Sequence, residues 1–278
     1  MSKQDTHYAT LRRKHREQAK KSGTFQSGSN QPSEGRIWLF GLHAVENALK
    51  NPARSNHVLW ASENALGKLG DQIPESSMLT INNVHPKEID KKLGGDAVHQ
   101  GVLLETEPLQ TYTLEDCWQD NLLLLLDQVT DPHNVGAIIR SAVAMGAGAI
   151  ITTARHSPGE SGVLAKVASG GLEHIKYVTV RNLANAIQAI NERGYQTIGL
   201  DSEGPRDLQH TVSSSKVALV MGAEGKGLRQ KSRETVTNLA RLDMPGAIKS
   251  LNVSNAAAVA LQVVRTHDGF KLKERNKN

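Results

Sequence analysis

Residues 219–260 read LVMGAEGKGLRQKSRETVTNLARLDMPGAIKSLNVSNAAAVA, and the rest of the chain is understood from this stretch. The apolar run Leu219–Met221 ends in the turn Gly222-Ala-Glu-Gly-Lys-Gly227, which carries one acid, Glu224. A polar helix follows, then the short strand Leu239–Met244. The loop Pro245–Asn252 then opens a helix built almost entirely of small residues. Irregular connections of this kind leave backbone groups free and are where a rigid scaffold holds its ligands. Upstream, Leu126-Asp-Gln-Val-Thr-Asp-Pro-His-Asn-Val-Gly-Ala-Ile-Ile-Arg140 supplies a third such loop.

Working outward, Leu122–Asp127 is a continuous apolar run of strand length, the pattern of a strand buried on both faces of a parallel sheet. Further strands are predicted at Ala149–Thr153, Tyr177–Val180, Gln196–Asp201 and Lys216–Met221. They alternate with helices at Asn134–Met145, Gly162–Ser169, Leu183–Arg193 and Leu228–Val236. That alternation means βαβ units and a mostly parallel sheet, whose ligands bind at the carboxyl ends of the strands. The loops after Leu126, Met221 and Met244 all lie there.

A smaller α/β unit precedes, over residues 36–107. It has strands at Ile37–Phe40, His57–Ala61, Met78–Ile81 and Gly101–Glu107, and helices at Gly41–Leu49, Glu63–Leu69 and His85–Leu93. His43, His99 and Gln100 are its candidate substrate contacts, with a structural role as the alternative for each histidine. Residues 108–121 form a polar linker, and 122–268 the larger α/β domain.

Charge is concentrated at the two ends. Residues 1–35 hold seven Lys and Arg against three Asp and Glu, and residues 265–278 five against two; between them acids outnumber bases 23 to 21. Residues 1–35 are too polar to order themselves, and we expect a disordered basic arm with a transient helix over Tyr8–Lys21. Residues 269–278 are expected to form a basic tail. Basic ends on a near-neutral body suit a polyanion such as RNA; solubilising tails, or a mitochondrial presequence at the N-terminus, are the alternatives. Aromatic residues are only 4% of the chain, which argues against a base-stacking platform. No run approaches the roughly 20 apolar residues of a membrane span. A single cysteine, Cys117, builds no disulfide framework and is expected to be a half-buried filler in a cytoplasmic protein. No H-E-x-x-H or C-x-x-C provides a zinc ligand set, and no metal is expected.

Each loop is ambiguous alone. In the first, Asn134 is a candidate cap for the following helix, and Arg140 lies inside it with no acidic neighbour in sequence. A planar guanidinium suits phosphate, and a surface ion pair is the alternative. The second loop is neither a P-loop nor a G-x-G-x-x-G turn, and Glu224 reads as a ligand contact or a solvated carboxylate. In the third, Asn252 or Ser254 is a good N-cap. The run Asn255–Ala260 is small enough that another backbone must approach it, from a neighbouring helix or a second subunit.

Together the three loops, in this order and spacing, resemble the three motifs of the SpoU (TrmH) family. Its members are SPOUT-class RNA ribose 2′-O-methyltransferases that use S-adenosylmethionine. Phe40-Gly-Leu-His-Ala-Val-Glu46 and Ala97-Val-His-Gln-Gly101 resemble the L30e-like substrate-binding domain of a subgroup that methylates a guanosine in large-subunit ribosomal RNA. The resemblance implies a C-terminal trefoil-knotted α/β domain behind the small domain, a homodimer, and S-adenosylmethionine held by backbone near Gly222, Leu242 and Leu251. It implies functional roles for Asn134, Arg140, Glu224, Ser250 and Asn252. The third motif departs from the common Ile-Pro-Met, having Leu242-Asp-Met-Pro-Gly246. The implied reaction is attack of a ribose 2′-oxygen on the cofactor's methyl group. Arginine side chains keep their proton in the working range of proteins, so we assign Arg140 to clamping a phosphate and polarising the 2′-hydroxyl rather than to the role of base. Glu224 and Asn252 are expected to hold Arg140 and the ribose, and Ser250 to make a polar contact. The rivals are a tRNA 2′-O-methyltransferase of the same family, a non-catalytic RNA-binding or ribosome-assembly protein on the same fold, and a nucleotide-dependent oxidoreductase. The missing G-x-G-x-x-G after Leu126 counts against the last.

Overall fold

The computed structural model describes residues 31–74, 77–268 and 270. The expectations for the arm and the tail therefore lie outside the described residues, except at their inner ends. Ser33 hydrogen-bonds Glu105, and Phe270 is buried in the main core.

The chain begins with β1 (Ile37–Phe40), α1 (Leu42–Lys50), β2 (Asn56–Ala61), α2 (Glu63–Leu69), β3 (Thr80–Asn83), α3 (Pro86–Leu93) and β4 (Val102–Thr106). These strands make a sheet in the order β1-β4-β2-β3, with β4 antiparallel to both neighbours and β2 parallel to β3. Strand β3 starts at Thr80, two residues later than the periodicity predicts. His85 caps α3 in a reciprocal capping box with Glu88, and Pro86 takes the first helical position.

The larger part comprises β5 (Leu122–Asp127), α4 (Pro132–Ala144), β6 (Ala149–Thr153), α5 (Gly162–Ala168), β7 (Lys176–Val180), α6 (Leu183–Glu192) and β8 (Gln196–Leu200). It continues with β9 (Arg206–Asp207), α7 (Leu208–Thr211), β10 (Val217–Gly222), α8 (Gln230–Thr235), β11 (Asn238–Arg241) and α9 (Val253–Thr266). Seven strands form one parallel sheet in the order β7-β6-β5-β10-β8-β11-β9. The period-2 rule sorts its centre cleanly: Leu122, Leu124 and Leu126 enter one core, and Leu123 and Leu125 the other. Each leucine so buried contributes about 1.5–3 kcal/mol relative to exposure. The short pair β9 and α7 was not foreseen; its Arg206-Asp207-Leu208-Gln209-His210-Thr211 carries too few apolar residues for a periodic signal.

Two expectations need correction. The cap of α4 is Asp131, whose carboxylate accepts from the His133 amide at 3.0 Å; Asn134 sits inside the first turn, so its side chain is released for another partner. Cys117 is fully buried rather than half-buried, and burial pushes its thiol up to about 12.

After β10 the chain passes through α8 to β11, beyond β8, and α9 then packs back against α4 and β10. The C-terminal segment thus returns across the middle of the sheet. The small sheet is joined to the large domain through Arg54, whose fully buried guanidinium meets Glu160, Glu173 and the Glu107 carbonyl.

Candidate active site

All three loops sit at the carboxyl edge of the parallel sheet. The first leaves β5, the second leaves the adjacent β10, and the third leaves β11, one strand beyond β8. Direct bonds tie the first loop to both others. Asp127, fully buried at the end of β5, accepts from the backbone N–H of Arg229 at 3.1 Å and from its Nε at 2.6 Å, just after the second loop. Asn134 Oδ1 accepts from Asn252 Nδ2 at 3.0 Å, at the end of the third loop. Asn252 in turn caps α9, its Oδ1 accepting from the Ser254 amide at 2.9 Å and from the Ser254 hydroxyl at 2.6 Å. Of the two candidate caps, Asn252 is the one used. Next to Asp127, Gln128 holds φ at 62°, a left-handed backbone that non-glycine residues rarely adopt.

The second loop is a tight reverse turn. Ala223 and Gly227 exchange backbone hydrogen bonds at 3.2 and 2.9 Å, which leaves Glu224 at the exposed tip. A Cβ on Gly222 would lie 2.1 Å from the Gly227 carbonyl carbon, so glycine is required there by the loop's own backbone.

The third loop is open. Among the described residues, 243–251 form no backbone–backbone hydrogen bonds, and the contact they do make is Lys249 Nζ donating to the Met244 carbonyl at 2.7 Å. Ile248 and Leu251 are 76% and 43% exposed, Ser250 is exposed, and Leu242 is half-buried against the core. Unpaired amides beside exposed apolar side chains match a ligand with both a hydrogen-bonding edge and an apolar face. An adenosine joined to a methionine has both, so this loop fits S-adenosylmethionine.

Arg140 lies on α4 with its backbone beside Gly171, exposed. Among the described residues it has neither a hydrogen bond nor an ion pair, so Glu224 and Asn252 are not bonded to it. The geometry thus joins Asn134 to Asn252 and leaves Arg140, Glu224 and Ser250 without partners. Asp127 and Arg229 were missed. The available signal was an acid ending a run of five leucines, Leu122–Asp127, which has to be buried and therefore has to find a cation or N–H groups.

In the small domain, His99 is structural. Its Nε2 faces Asp90 at 3.0 Å, and its Nδ1 accepts from the Gly101 amide at 3.0 Å. Gln100, at φ 58°, accepts from the Leu42 amide at 2.9 Å and so serves the start of α1. His43 remains exposed beside Glu46. Among the described residues no cluster of His, Cys, Asp or Glu is arranged to hold a metal ion, and no helix is long and apolar enough to cross a membrane.

Comparison with known proteins agrees with this arrangement. The SpoU rRNA Methylase family matches residues 121–262, and a family of RNA 2′-O ribose methyltransferase substrate-binding domains matches residues 38–112. The 23S rRNA (guanosine-2′-O-)-methyltransferase RlmB of Ralstonia nicotianae is 38% identical, over 80% of this chain and 92% of its own length. The putative TrmH family tRNA/rRNA methyltransferase YacO of Bacillus subtilis is 32% identical, over 84% of this chain and 96% of its own. The SpoU methyltransferase AviRb of Streptomyces viridochromogenes, solved in complex with AdoMet, shares the fold at TM-score 0.71 and 21% identity, over 82% of this chain and 89% of that one. The chain therefore belongs to the SpoU rRNA methylase family of S-adenosylmethionine-dependent RNA methyltransferases, with the small substrate-binding domain ahead of the catalytic one.

Proposed function

We propose that this chain methylates the ribose 2′-hydroxyl of a guanosine in 23S ribosomal RNA. The observation that carries the reading is the double tie of the first loop, Asp127 to Arg229 and Asn134 to Asn252, which gathers three separated motifs at one sheet edge. The RlmB relative, similar over nearly its whole length, supplies the RNA and the nucleotide. A tRNA substrate is the second reading, supported by the name of the YacO relative.

S-adenosylmethionine, when bound, supplies a methyl group on a positively charged sulfur, so the leaving group needs no activation. The tasks left to the protein are placing the 2′-oxygen and drawing off its proton. Backbone at Gly222, Leu242 and Leu251 holds the cofactor. Arg140 is assigned to the substrate phosphate and to polarising the 2′-hydroxyl; its exposure and lack of a carboxylate partner support this. Asn252, oriented by Asn134, positions the ribose. Glu224 at the turn tip orders Arg140 once substrate arrives, and Ser250 contacts substrate or cofactor. We read the return of α9 across the sheet as the trefoil threading. The exposed stripe Leu251, Asn255, Val259 and Gln262 is read as a homodimer contact, with Leu251 and Val259 43% and 45% exposed. On this reading the enzyme works in the cytoplasm, alongside its RNA.

Calorimetric titration with S-adenosylmethionine tests the cofactor site, and saturable binding is expected. Single-turnover transfer by Arg140→Lys tests the clamp. The variant keeps the charge but loses the fork, so its rate should fall; a full rate removes Arg140 from this role.

A further inference from the structure

A charged cleft opens at the same sheet edge, with no residue of the third loop in its lining. It has a volume of about 580 Å³ and is lined by Thr153, Ala154, Arg155, His156, Arg181 and Arg229, with no carboxylate among the lining residues. Thr153 ends β6, Arg181 follows β7, and Arg229 follows the loop of β10, with β5 between. Three neighbour intervals of about 4.8 Å make a span of about 14 Å, long enough for more than one phosphate.

The three arginines are not equivalent. Arg229 is anchored, with its Nε and backbone N–H spent on buried Asp127. Its two terminal nitrogens retain their donors, since a guanidinium carries five N–H groups in a fixed fork. Arg155 and Arg181 are exposed and, among the described residues, have no hydrogen bond or ion pair. The Thr153 hydroxyl is buried with no partner. Two unpaired cations, Arg155 and Arg181, join the free end of the Asp127-paired Arg229 around a cleft whose lining holds no carboxylate, beside an unsatisfied hydroxyl. Free donors gathered in this way suit an anion with several acceptor oxygens.

We propose that this cleft binds phosphates of the RNA strand flanking the target nucleotide, Arg229 serving as a fixed anchor and Arg155 and Arg181 as phosphate contacts. The proposal rests on the RNA-methylating reading and adds a path to it: the strand crosses from the β10 loop towards β7, over the end of β5. It also gives buried Asp127 a role, as the group that fixes the anchor.

The test uses the full-length chain and a 23S ribosomal RNA transcript. RNA binding is measured over a range of potassium chloride, together with steady-state methyl transfer at saturating S-adenosylmethionine and calorimetric titration of that cofactor. Arg155→Gln and Arg181→Gln should each weaken RNA binding about three- to tenfold, and each should make the log–log salt dependence shallower by about 0.7. KM for RNA should rise more than kcat falls, and the cofactor's Kd should hold. Arg155→Lys, which keeps the charge, should retain the wild-type salt slope. Lys231→Gln removes an exposed cation outside the cleft and is the comparison. An unchanged Kd and salt slope in the Arg155→Gln/Arg181→Gln double variant, or an equal loss in Lys231→Gln, overturns the cleft assignment. A wild-type protein that binds RNA with these residue dependences but transfers no methyl group to ribose overturns the functional reading instead.

Discussion

Two sets of arginines sit in opposite surroundings. Arg54, between the small sheet and the large domain, is fully buried and completely engaged. Its Nη1 lies 2.6 Å from Glu160 Oε1 and 2.9 Å from the Glu107 carbonyl, and its Nε and Nη2 fork onto Glu173. Glu160 also accepts from the Leu109 amide at 2.8 Å, which stitches the linker into the same cluster. Arg140, on α4, and Arg155 and Arg181, at the carboxyl edge of the sheet, are exposed and engage nothing among the described residues. The difference separates charge that holds the fold from charge kept for a ligand. A buried cation must be matched inside the protein, whereas an exposed one costs the fold nothing and is free to meet an anion.

The largest effect expected from this contrast is at Arg54. Arg54→Ala strands Glu160 and Glu173 without their cation and should destabilise the protein by about 3–5 kcal/mol in equilibrium denaturation. A loss under about 1 kcal/mol would mean that water reaches the cluster and that the contrast is false. Arg140→Ala should do the reverse, leaving the melting temperature in place while lowering kcat about 10²–10³-fold, the scale on which a positioned donor acts. A parallel fall in stability would move Arg140 into the structural set.

Asn252 straddles the two classes, since it caps α9 and ties Asn134. Asn252→Ala should cost about 1 kcal/mol of stability, as lost caps do, and lower the single-turnover rate of methyl transfer to RNA. Stability loss with an unchanged transfer rate would make it a cap only.

The smallest expected effect is on acid stability. Burial pulls the Glu105 carboxyl up, but hydrogen bonds from Arg36, Trp38 and Ser33 outweigh it and hold the group below its ordinary 4.5. A depressed acid stabilises the fold above its unfolded value and loses that contribution as pH falls through the lower, folded one. Glu105→Gln should therefore flatten the acid limb of the stability profile below about pH 4.5 and leave the shape near neutrality unchanged. A change confined to neutral pH would contradict the assignment.

What the sequence revealed follows the same division. Strands β5 and β10 were legible because burial on both faces forces continuous apolar runs, and α9 because Asn252 precedes a long run of small residues. The start of α4 was misplaced because Asp131 and Asn134 are both competent caps. Pro132, suited to the first helical position, favours the former. Strand β11 closes at Arg241, short of the expected Met244, since Leu242 supplies hydrophobicity without a pairing partner. The Arg54 cluster was invisible because its partner Glu173 lies 119 residues away and no local spacing announces it. Arg155 and Arg181 belong to no motif; only the fold brings the ends of β6 and β7 together. Local rules read elements well, while ion pairs and clefts between distant loops depend on topology.

The central claim is that loops gathered at one sheet edge deliver a methyl group to a ribose oxygen of large-subunit RNA. Its most direct test is to map 2′-O-methyl positions in 23S ribosomal RNA from cells with the gene, without it, and with Arg140→Ala in its place. The account predicts one ribose-methylated guanosine that is present only with the intact gene. An identical map in all three, or a lost modification that lies on a base, would contradict it.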